Sequence, residues 1–154
     1  MARHMADYLI IGNSAAGVTA AEHIRAHDAH GSILIVGDEP YPVYGRPLIS
    51  YLIEGKTTEE RMGFKDAGFY GRLAIDTLLD PAYEAVALDA EAHRVALANG
   101  DEVAYGKCLV ATGSVPFTPP IKGLDGRRNV FSFMTLDQAK AVWDAARSAC
   151  ARAH

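Results

Sequence analysis

The stretch DYLIIGNSAAG, residues Asp7–Gly17, decides the fold of this chain of 154 residues. It begins with a continuous apolar run that ends at Gly12, a pattern typical of a strand buried on both faces of a parallel sheet. The sequence then becomes alanine-rich from Ala15 to His27 and predicts an amphipathic helix. A second apolar run, Ser32–Gly37, predicts another buried strand. Residues 7–37 therefore predict a strand-helix-strand unit of about thirty residues.

The chain beyond this unit mixes short helices with short strands. The expected elements are a helix at Leu48–Ile53, helical pieces at Thr58–Met62 and Lys65–Tyr70, and a strand at Leu73–Leu79. Alternating apolar residues and an Asn-Gly turn then predict a small antiparallel meander at Ala85–Asp89, His93–Leu97 and Glu102–Tyr105. The arrangement predicts an α/β fold.

Two further elements are expected towards the end of the sequence. Lys107–Gly113 is again a continuous apolar run ended by glycine, and it predicts a further buried strand of the parallel sheet. After a proline-rich linker, a helix is expected to start at Thr135 or Asp137 and to run to about Ala149. Its apolar stripe is formed by Ala139, Val142, Trp143 and Ala146. We expect Val142 and Trp143 to pack on the chain's own sheet, and the alternative is that they belong to an exposed interface.

The composition excludes several classes of protein. The chain is 49% hydrophobic and 22% charged, which favours a domain with a buried core over a disordered chain. Its net charge is -4 and its 15 Lys and Arg residues are scattered, so nucleic acid is not an expected partner. The longest apolar run is too short to span a membrane and no signal peptide is recognisable, so we expect a cytoplasmic protein.

The first turn, Gly12–Gly17, is an incomplete match to the dinucleotide fingerprint G-x-G-x-x-G. The first and third glycines are present, whereas Ser14 stands at the second position. Serine is small enough to let a pyrophosphate approach the backbone, and the first amides of the following helix form an anion site. The alternative is a glycine turn that only lets the helix pack against the strand.

The fingerprint also requires an acidic residue after the second strand, which hydrogen-bonds the adenosine ribose. Asp38 and Glu39 both stand at that place, and the sequence does not decide between them. Either carboxylate would repel a 2′-phosphate, which favours FAD or NAD over NADP. The alternative is an ordinary polar loop.

The whole chain resembles the N-terminal part of the FAD-dependent pyridine nucleotide-disulfide oxidoreductases. It is most similar to the branch of NADH-dependent rubredoxin, ferredoxin and nitrite reductases and NADH oxidases. The resemblance is carried by Tyr8–Gly17, Asp38–Leu48, Ala85–Asp89, Leu109–Gly113 and Val130–Ala139. It implies a Rossmann-like FAD/NAD(P)-binding fold.

The resemblance implies a set of cofactor contacts. The glycine turn would contact the FAD pyrophosphate, Asp38 or Glu39 the ribose, and Arg46 the phosphate or the flavin side. Ala85 would present its backbone to adenine, and the segment 111–113 would close over the cofactor. The full set of candidate cofactor-binding residues is Gly12, Ser14, Ala15, Ala16, Gly17, Asp38, Glu39, Arg46, Ala85, Ala111, Thr112 and Gly113.

Several parts of the family pattern are missing from this sequence. No redox cysteine stands between Pro42 and Ser50, and Cys108 and Cys150 form no paired motif, so we expect no thiol chemistry and no metal site. We identify no catalytic acid, base or nucleophile. The family also inserts an NAD-binding domain after a helix like the last one here, then returns with a Gly-Asp motif that holds the flavin ribitol.

The domain expectation follows from that comparison. Residues 6–115 would form an FAD-binding domain that is incomplete relative to the family. Residues 116–154 would form a proline-rich linker and a helix leading towards an absent NAD-binding domain. We therefore expect a fragment or a short stand-alone protein that by itself lacks the NAD domain needed for turnover.

Two functions remain open from the sequence. The first is the FAD-binding part of an NAD(P)H-dependent oxidoreductase that passes electrons to a small acceptor protein. The expected cofactor is FAD, or only ADP or AMP in a chain of this length, with NAD(P)H as co-substrate of the complete enzyme. The second is a non-catalytic ADP-, AMP- or FAD-binding module whose exposed sheet is covered by a partner chain or a second copy.

Overall fold

A computed structural model describes residues 2–124, 126, 127 and 129–152, with the side chains of 150–152 excepted. Within these residues the strands are β1 (Arg3–Ile11), β2 (Ile33–Gly37), β3 (Ile75–Leu79), β4 (Ala85–Asp89), β5 (Arg94–Leu97) and β6 (Glu102–Val110). The helices are α1 (Ala15–His27), α2 (Ile49–Ile53), α3 (Phe69–Arg72) and α4 (Leu136–Arg152). Short 3-10 turns lie at Arg46–Leu48, Glu59–Met62 and Pro81–Tyr83. The predicted α/β class is confirmed.

The chain divides into two compact units. The first consists of Met1–Tyr44 and Gly63–Gly113 and contains the whole sheet. The second consists of Gly45–Met62 and Ser114–His154 and contains α2 and α4. The assignment of residues 6–115 to a single FAD-binding domain stays a prediction.

The sheet of the first unit has the strand order β3-β2-β1-β6-β5-β4. β3, β2, β1 and β6 pair in parallel, and β4, β5 and the start of β6 form the predicted antiparallel meander. The Asn-Gly hairpin is confirmed, because Gly100 has a φ of +86° and its N–H donates to the carbonyl of Leu97.

The parallel strands β1 and β2 are buried on both faces, as their continuous apolar runs predict. On one face Ile10 and Ile35 lie in a core with Val18 of α1 and Phe69 of α3. The other face is covered by the meander, whose buried side chains pack against those of β1 and β2. The members of this second core are Ala6, Leu9, Ile11, Leu34, Val36, Val95, Leu97 and Val103.

One strand is longer than the sequence indicates. Glu102–Tyr105 and Lys107–Gly113 were expected as two strands, but Glu102–Val110 is one continuous strand that pairs with β1 on both sides of Gly106. A Cβ at Gly106 would lie 2.8 Å from the carbonyl oxygen of Asp7, so glycine permits the close approach of the two strands here. The two predicted segments were wrong in being separate.

The second half of β6 is also less buried than expected. β5 pairs with only Glu102–Ala104, and beyond it Leu109 is 39% and Val110 61% exposed. The prediction of a buried core strand at 107–113 was therefore wrong in its burial, although its parallel pairing with β1 is correct.

Helix α4 of the second unit starts with a capping box. The hydroxyl of Thr135 accepts from the N–H of Gln138 at 3.2 Å, and the side-chain oxygen of Gln138 accepts from the N–H of Thr135 at 3.3 Å. Thr135 is therefore the N-cap, and the alternative start at Asp137 was wrong, since Asp137 lies in the first turn.

The apolar stripe of α4 is only partly buried. Ala139 is buried and Val142 is half-buried, whereas Trp143 is 41% exposed and Ala146 is exposed. The expected burial of Trp143 was wrong. Its side chain instead lines a cleft of about 390 Å³ in the second unit together with Leu52 and Ile53 of α2.

Candidate functional site

The candidate residues gather where the parallel strands end. Gly12 follows β1, Asp38 follows β2 and Ala111 follows β6. β1 lies between β2 and β6, and α1 leaves β1 to connect it with β2. Ligands of open α/β sheets bind at the carboxyl ends of the strands, at a point where the chain turns to opposite sides. This edge is therefore the place for the predicted site.

The glycine turn, Gly12–Gly17, is closely packed against its own backbone. Gly12 has a φ of +118°, and a Cβ there would lie 2.3 Å from the carbonyl oxygen of Ala111. A Cβ at Gly17 would lie 2.0 Å from the carbonyl oxygen of Gly12. Neither position can accept a side chain without moving backbone. The first and third glycines thus have the roles of tight turn and close helix-strand contact that the fingerprint assigns to them.

The start of α1 carries no internal anion. Ser14 is the N-cap residue with extended backbone, its side chain makes no capping hydrogen bond, and the first turn contains no acidic residue. Ala15 and Ala16 of the first turn are exposed. The first amides of a helix lack carbonyl partners and lie at the positive end of its dipole. An anion as compact as a phosphate group can bind there.

The structure distinguishes the two acidic residues after β2. Asp38 is exposed, whereas Glu39 is half-buried and its Oε2 accepts a 2.5 Å hydrogen bond from the hydroxyl of Tyr44. A carboxylate that is held by a neighbour loses less freedom when it binds a ligand. The geometry favours Glu39 as the ribose acceptor, while the contact itself stays a prediction.

A polar network beside the turn was missed by the sequence reasoning. The amide of Asn13 donates to the carbonyl of Tyr41 at 3.1 Å and accepts from the hydroxyl of Tyr70 at 2.8 Å. The same hydroxyl accepts from the N–H of Val43 at 3.0 Å. Burial raises the pKa of Tyr70, which keeps its hydroxyl protonated and able to donate. The only signal in the sequence was a polar side chain directly after Gly12.

Ala111, Thr112 and Gly113 follow β6 at this edge, whereas Ala85 begins β4. The N–H of Ala111 donates to the carbonyl of Ile11 at 2.8 Å and extends the ladder by one residue. Thr112 is exposed, and Gly113 has a φ of +72° with open space around it. Ala85 packs against the core that contains Ile11. These positions agree with the expected contacts without testing them.

Arg46 belongs to the second unit. Its guanidinium is half-buried and donates to the carbonyl of Met134 at 3.3 Å. The side chain therefore has a partner within its own unit. Its expected contact with phosphate or flavin stays a prediction.

The described part of the chain also contains His, Cys, Asp and Glu side chains, the groups that bind metals or act as nucleophiles. No three His, Cys, Asp or Glu side chains there lie together as metal ligands. Burial raises the pKa of the Cys108 thiol, which disfavours the reactive thiolate. No helix among the described residues is long and apolar enough to cross a bilayer.

The family model for pyridine nucleotide-disulphide oxidoreductases matches residues 6–150. The chain belongs to this family. It is 37% identical over 118 residues to the epsilon subunit of NADH-dependent phenylglyoxylate dehydrogenase from Aromatoleum evansii, an alignment that covers 77% of this chain and 28% of that protein. It is 34% identical over 123 residues to the ferredoxin reductase component of chlorobenzene dioxygenase from Cupriavidus sp. (strain PS12), covering 80% and 29%.

A solved structure supports the fold. NADH:rubredoxin oxidoreductase from Clostridium acetobutylicum matches with a TM-score of 0.83 and 23% identity, over 94% of this chain and 36% of that one. The predicted resemblance and the Rossmann-like fold are thereby confirmed. The chain spans about a third or less of the length of each of these proteins, 28%, 29% and 36%.

Proposed function

We propose that this chain binds the ADP part of FAD at the glycine turn, as part of an NAD(P)H-dependent flavoprotein oxidoreductase. A bound flavin would supply the redox chemistry between nicotinamide and an electron acceptor. The residues of this chain bind and orient the nucleotide half of that cofactor. We assign no proton transfer or covalent step to any of them.

The observation that carries the proposal is the pair of glycines that exclude any side chain beside an uncapped helix start. Hypothetical Cβ atoms at Gly12 and Gly17 would lie 2.3 and 2.0 Å from backbone oxygens. These two glycines fix the tight turn, and the exposure of Ala15 and Ala16 leaves the first amides of α1 open to a ligand. A turn that served only helix packing would need Gly17 but would not need an uncapped and acid-free first turn.

The residues fit both ends of an ADP group. The turn offers backbone amides and the positive end of a dipole to the pyrophosphate. Glu39, held by Tyr44, offers a carboxylate to the ribose hydroxyls. The same carboxylate would repel a 2′-phosphate, which supports FAD over NADP at this site.

The names of the relatives support the wider role. One is a ferredoxin reductase component and another an NADH-dependent dehydrogenase subunit. We infer by family membership that the complete protein takes electrons from NAD(P)H and that its acceptor is a small electron-transfer protein.

A non-catalytic nucleotide-binding module is the second candidate. The exposure of Leu109 and Val110 on β6 favours it, because apolar side chains beyond the reach of β5 suit cover by another chain or a second copy. The two candidates differ in a simple measurement. Bound flavin that loses its yellow absorbance on addition of NADH supports the reductase, whereas binding of ADP without retention of FAD supports the module.

Ser14→Asp tests the anion site with two opposite expected effects. An aspartate at the N-cap should stabilise α1 by about 0.5 kcal/mol through the helix dipole. The same charge should weaken ADP binding at least about tenfold, because it occupies the anion site. Calorimetric titration with ADP and thermal unfolding followed by circular dichroism measure the two effects.

Ser14→Asn is the matched control, because it has nearly the same shape as aspartate without the charge. It should keep most of the ADP affinity of the unmodified chain. If the chain binds neither ADP nor FAD, the proposed function is wrong. If Ser14→Asp binds ADP as well as the control does, the pyrophosphate does not lie at the start of α1.

A further inference from the structure

The glycine turn is linked to the segment after β2 through two side chains. We call residues 38–44 the acid loop, because it contains Asp38 and Glu39. Asn13 of the turn donates to the carbonyl of Tyr41, and Tyr70 of α3 accepts from the N–H of Val43. Tyr70 also donates to Asn13. Three segments that are far apart in sequence thus meet in one chain of hydrogen bonds.

Each member of the network has a fixed chemical direction. The carbonyl of Tyr41 can only accept, so the Asn13 amide must face it with its nitrogen and present its oxygen to Tyr70. The Tyr70 oxygen accepts a hydrogen bond from the N–H of Val43, and its hydroxyl donates one to Asn13. Aspartate at position 13 could not donate to Tyr41, and phenylalanine at position 70 could do neither. The bonds are partly buried, where water does not easily replace a lost partner.

The network holds the acid loop at two backbone groups, and the carbonyl of Val43 in the same loop also accepts from the N–H of Phe64 at 3.1 Å. Pro40 and Pro42 have no N–H, so they cannot contribute backbone donors. The two residues that the network holds, Tyr41 and Val43, flank Pro42 and follow Glu39 by two and four positions. The carboxylate of Glu39 accepts a hydrogen bond from the hydroxyl of Tyr44, the last residue of the acid loop.

We propose that Asn13 and Tyr70 are positioning residues that fix the acid loop relative to the glycine turn, so that one ADP group binds both. This inference rests on the proposed function and deepens it. Pyrophosphate would contact the turn and ribose would contact Glu39. The network sets the distance between these two contacts without touching the ligand.

Ligands that correspond to one half of ADP distinguish the two contacts. Adenosine would use the acid loop without the turn and inorganic pyrophosphate the turn without the loop, whereas ADP gains from using both in one geometry. A looser loop therefore weakens ADP binding and leaves the binding of each half unchanged. A general loss of structure would weaken all three.

Tyr70→Phe is the variant that tests this. We expect ADP affinity to fall roughly fivefold to tenfold, the scale of one or two partly buried hydrogen bonds. The affinities for adenosine and pyrophosphate, measured by ligand-observed NMR, should stay unchanged within error. Tyr8→Phe is the matched control, because it removes a 2.9 Å bond from a tyrosine hydroxyl to Asp28 in the same unit. It should leave all three affinities unchanged.

A double-mutant cycle with Glu39→Gln shows whether Tyr70 acts through Glu39. If it does, Tyr70→Phe should cost much less ADP affinity in the Glu39→Gln background than in the unmodified chain. An equal loss in both backgrounds contradicts the positioning role, and so does equal weakening of ADP, adenosine and pyrophosphate. A chain that binds ADP normally with Phe at position 70 overturns this inference alone, whereas an unmodified chain without ADP binding overturns the proposed function as well.

Discussion

The two ends of α1 are built in opposite ways. At the carboxyl end, Asp28 is the cap: its N–H donates to the carbonyl of Ile24 at 2.7 Å. Its carboxylate accepts from the N–H groups of His30 and Gly31 and from the hydroxyl of Tyr8. At the amino end, Ser14 provides no side-chain cap and the first turn has no acid.

Arg25 also contributes to the carboxyl end of α1, which we call the closed end. We call the amino end, at Ser14, the open end. Its guanidinium is directed at backbone carbonyls, which are the groups that helix ends and turns leave without partners. Its hydrogen bonds at this end run to the carbonyls of Asp28, Gly31, Leu73 and Ala74, at 2.8 to 3.1 Å. The chain thus satisfies polar groups at one end of the helix and leaves the amides of the other end available. The amino end of α1 is therefore the end at which a ligand can bind.

Gly17→Ala should have the largest effect on the open end, on both its stability and its ADP binding. Alanine normally stabilises a helix relative to glycine by about 1 kcal/mol. Here the new Cβ would lie 2.0 Å from the carbonyl oxygen of Gly12. We therefore expect a net destabilisation of roughly 2 kcal/mol and loss of ADP binding, since the turn must move. Urea unfolding and calorimetric titration measure both quantities.

Gly71→Ala in α3 is the control for that change. No atom lies within 4 Å of a Cβ at this position, so the variant should be unchanged or slightly more stable. It should bind ADP like the unmodified chain. Equal behaviour of the two variants would contradict the assignment of close contact at Gly17.

Arg25→Met tests the closed end by removing the guanidinium and keeping most of the aliphatic stem. We expect a loss of about 2 kcal/mol of stability, because several carbonyls lose a charged donor. ADP affinity should not change, since the site lies at the other end of α1. Arg72→Met, which removes an exposed ion pair with Asp66, should change the stability much less than Arg25→Met does. A change of ADP affinity in Arg25→Met would contradict the separation of the two ends.

The open end was predictable from the sequence because its signals are local. The change from an apolar strand to an alanine-rich helix lies within a few residues of Gly12, and α1 was predicted with its observed limits, Ala15 to His27. The N-cap of α4, Thr135, was likewise one of two candidates that stand two positions apart. Local spacing determines such features, so one sequence suffices to find them.

Features that depend on distant pairing were missed. Residues Arg3–Ala6 extend β1 because they pair with Glu102–Tyr105. Their sequence does not have the pattern of a buried strand, and Met5 is 86% exposed. Leu109 and Val110 were expected in the core for their apolar character, but β5 is too short to cover them. The contact of Asn13 with Tyr70 joins residues 57 positions apart and leaves no spacing signal. Such contacts become visible only in the folded chain.

The smallest expected effect is a loss of folding stability at acidic pH, caused by Asp28 at the closed end. The N–H groups of Gly31 and His30 and the hydroxyl of Tyr8 lower the pKa of Asp28 from 3.8 to about 2. Between these two values the unfolded chain binds a proton that the folded chain does not, so the stability from Asp28 is present above the unfolded pKa and is lost as the pH falls towards 2. Asp66 has a pKa lowered to about 2 by Arg72 and adds to the same loss.

Asp28→Asn should therefore flatten part of this acid dependence. Its stability deficit relative to the unmodified chain should shrink as the pH falls from about 4 to about 2, measured by urea unfolding at several pH values. Asparagine does not titrate in this pH range, but its side-chain oxygen can still accept a hydrogen bond from a backbone N–H. The variant therefore removes the charge of Asp28 and keeps part of its hydrogen bonding. A deficit that is constant with pH would mean that Asp28 stabilises the turn by shape alone. Arg25 would then be the side chain whose charge closes this end of α1.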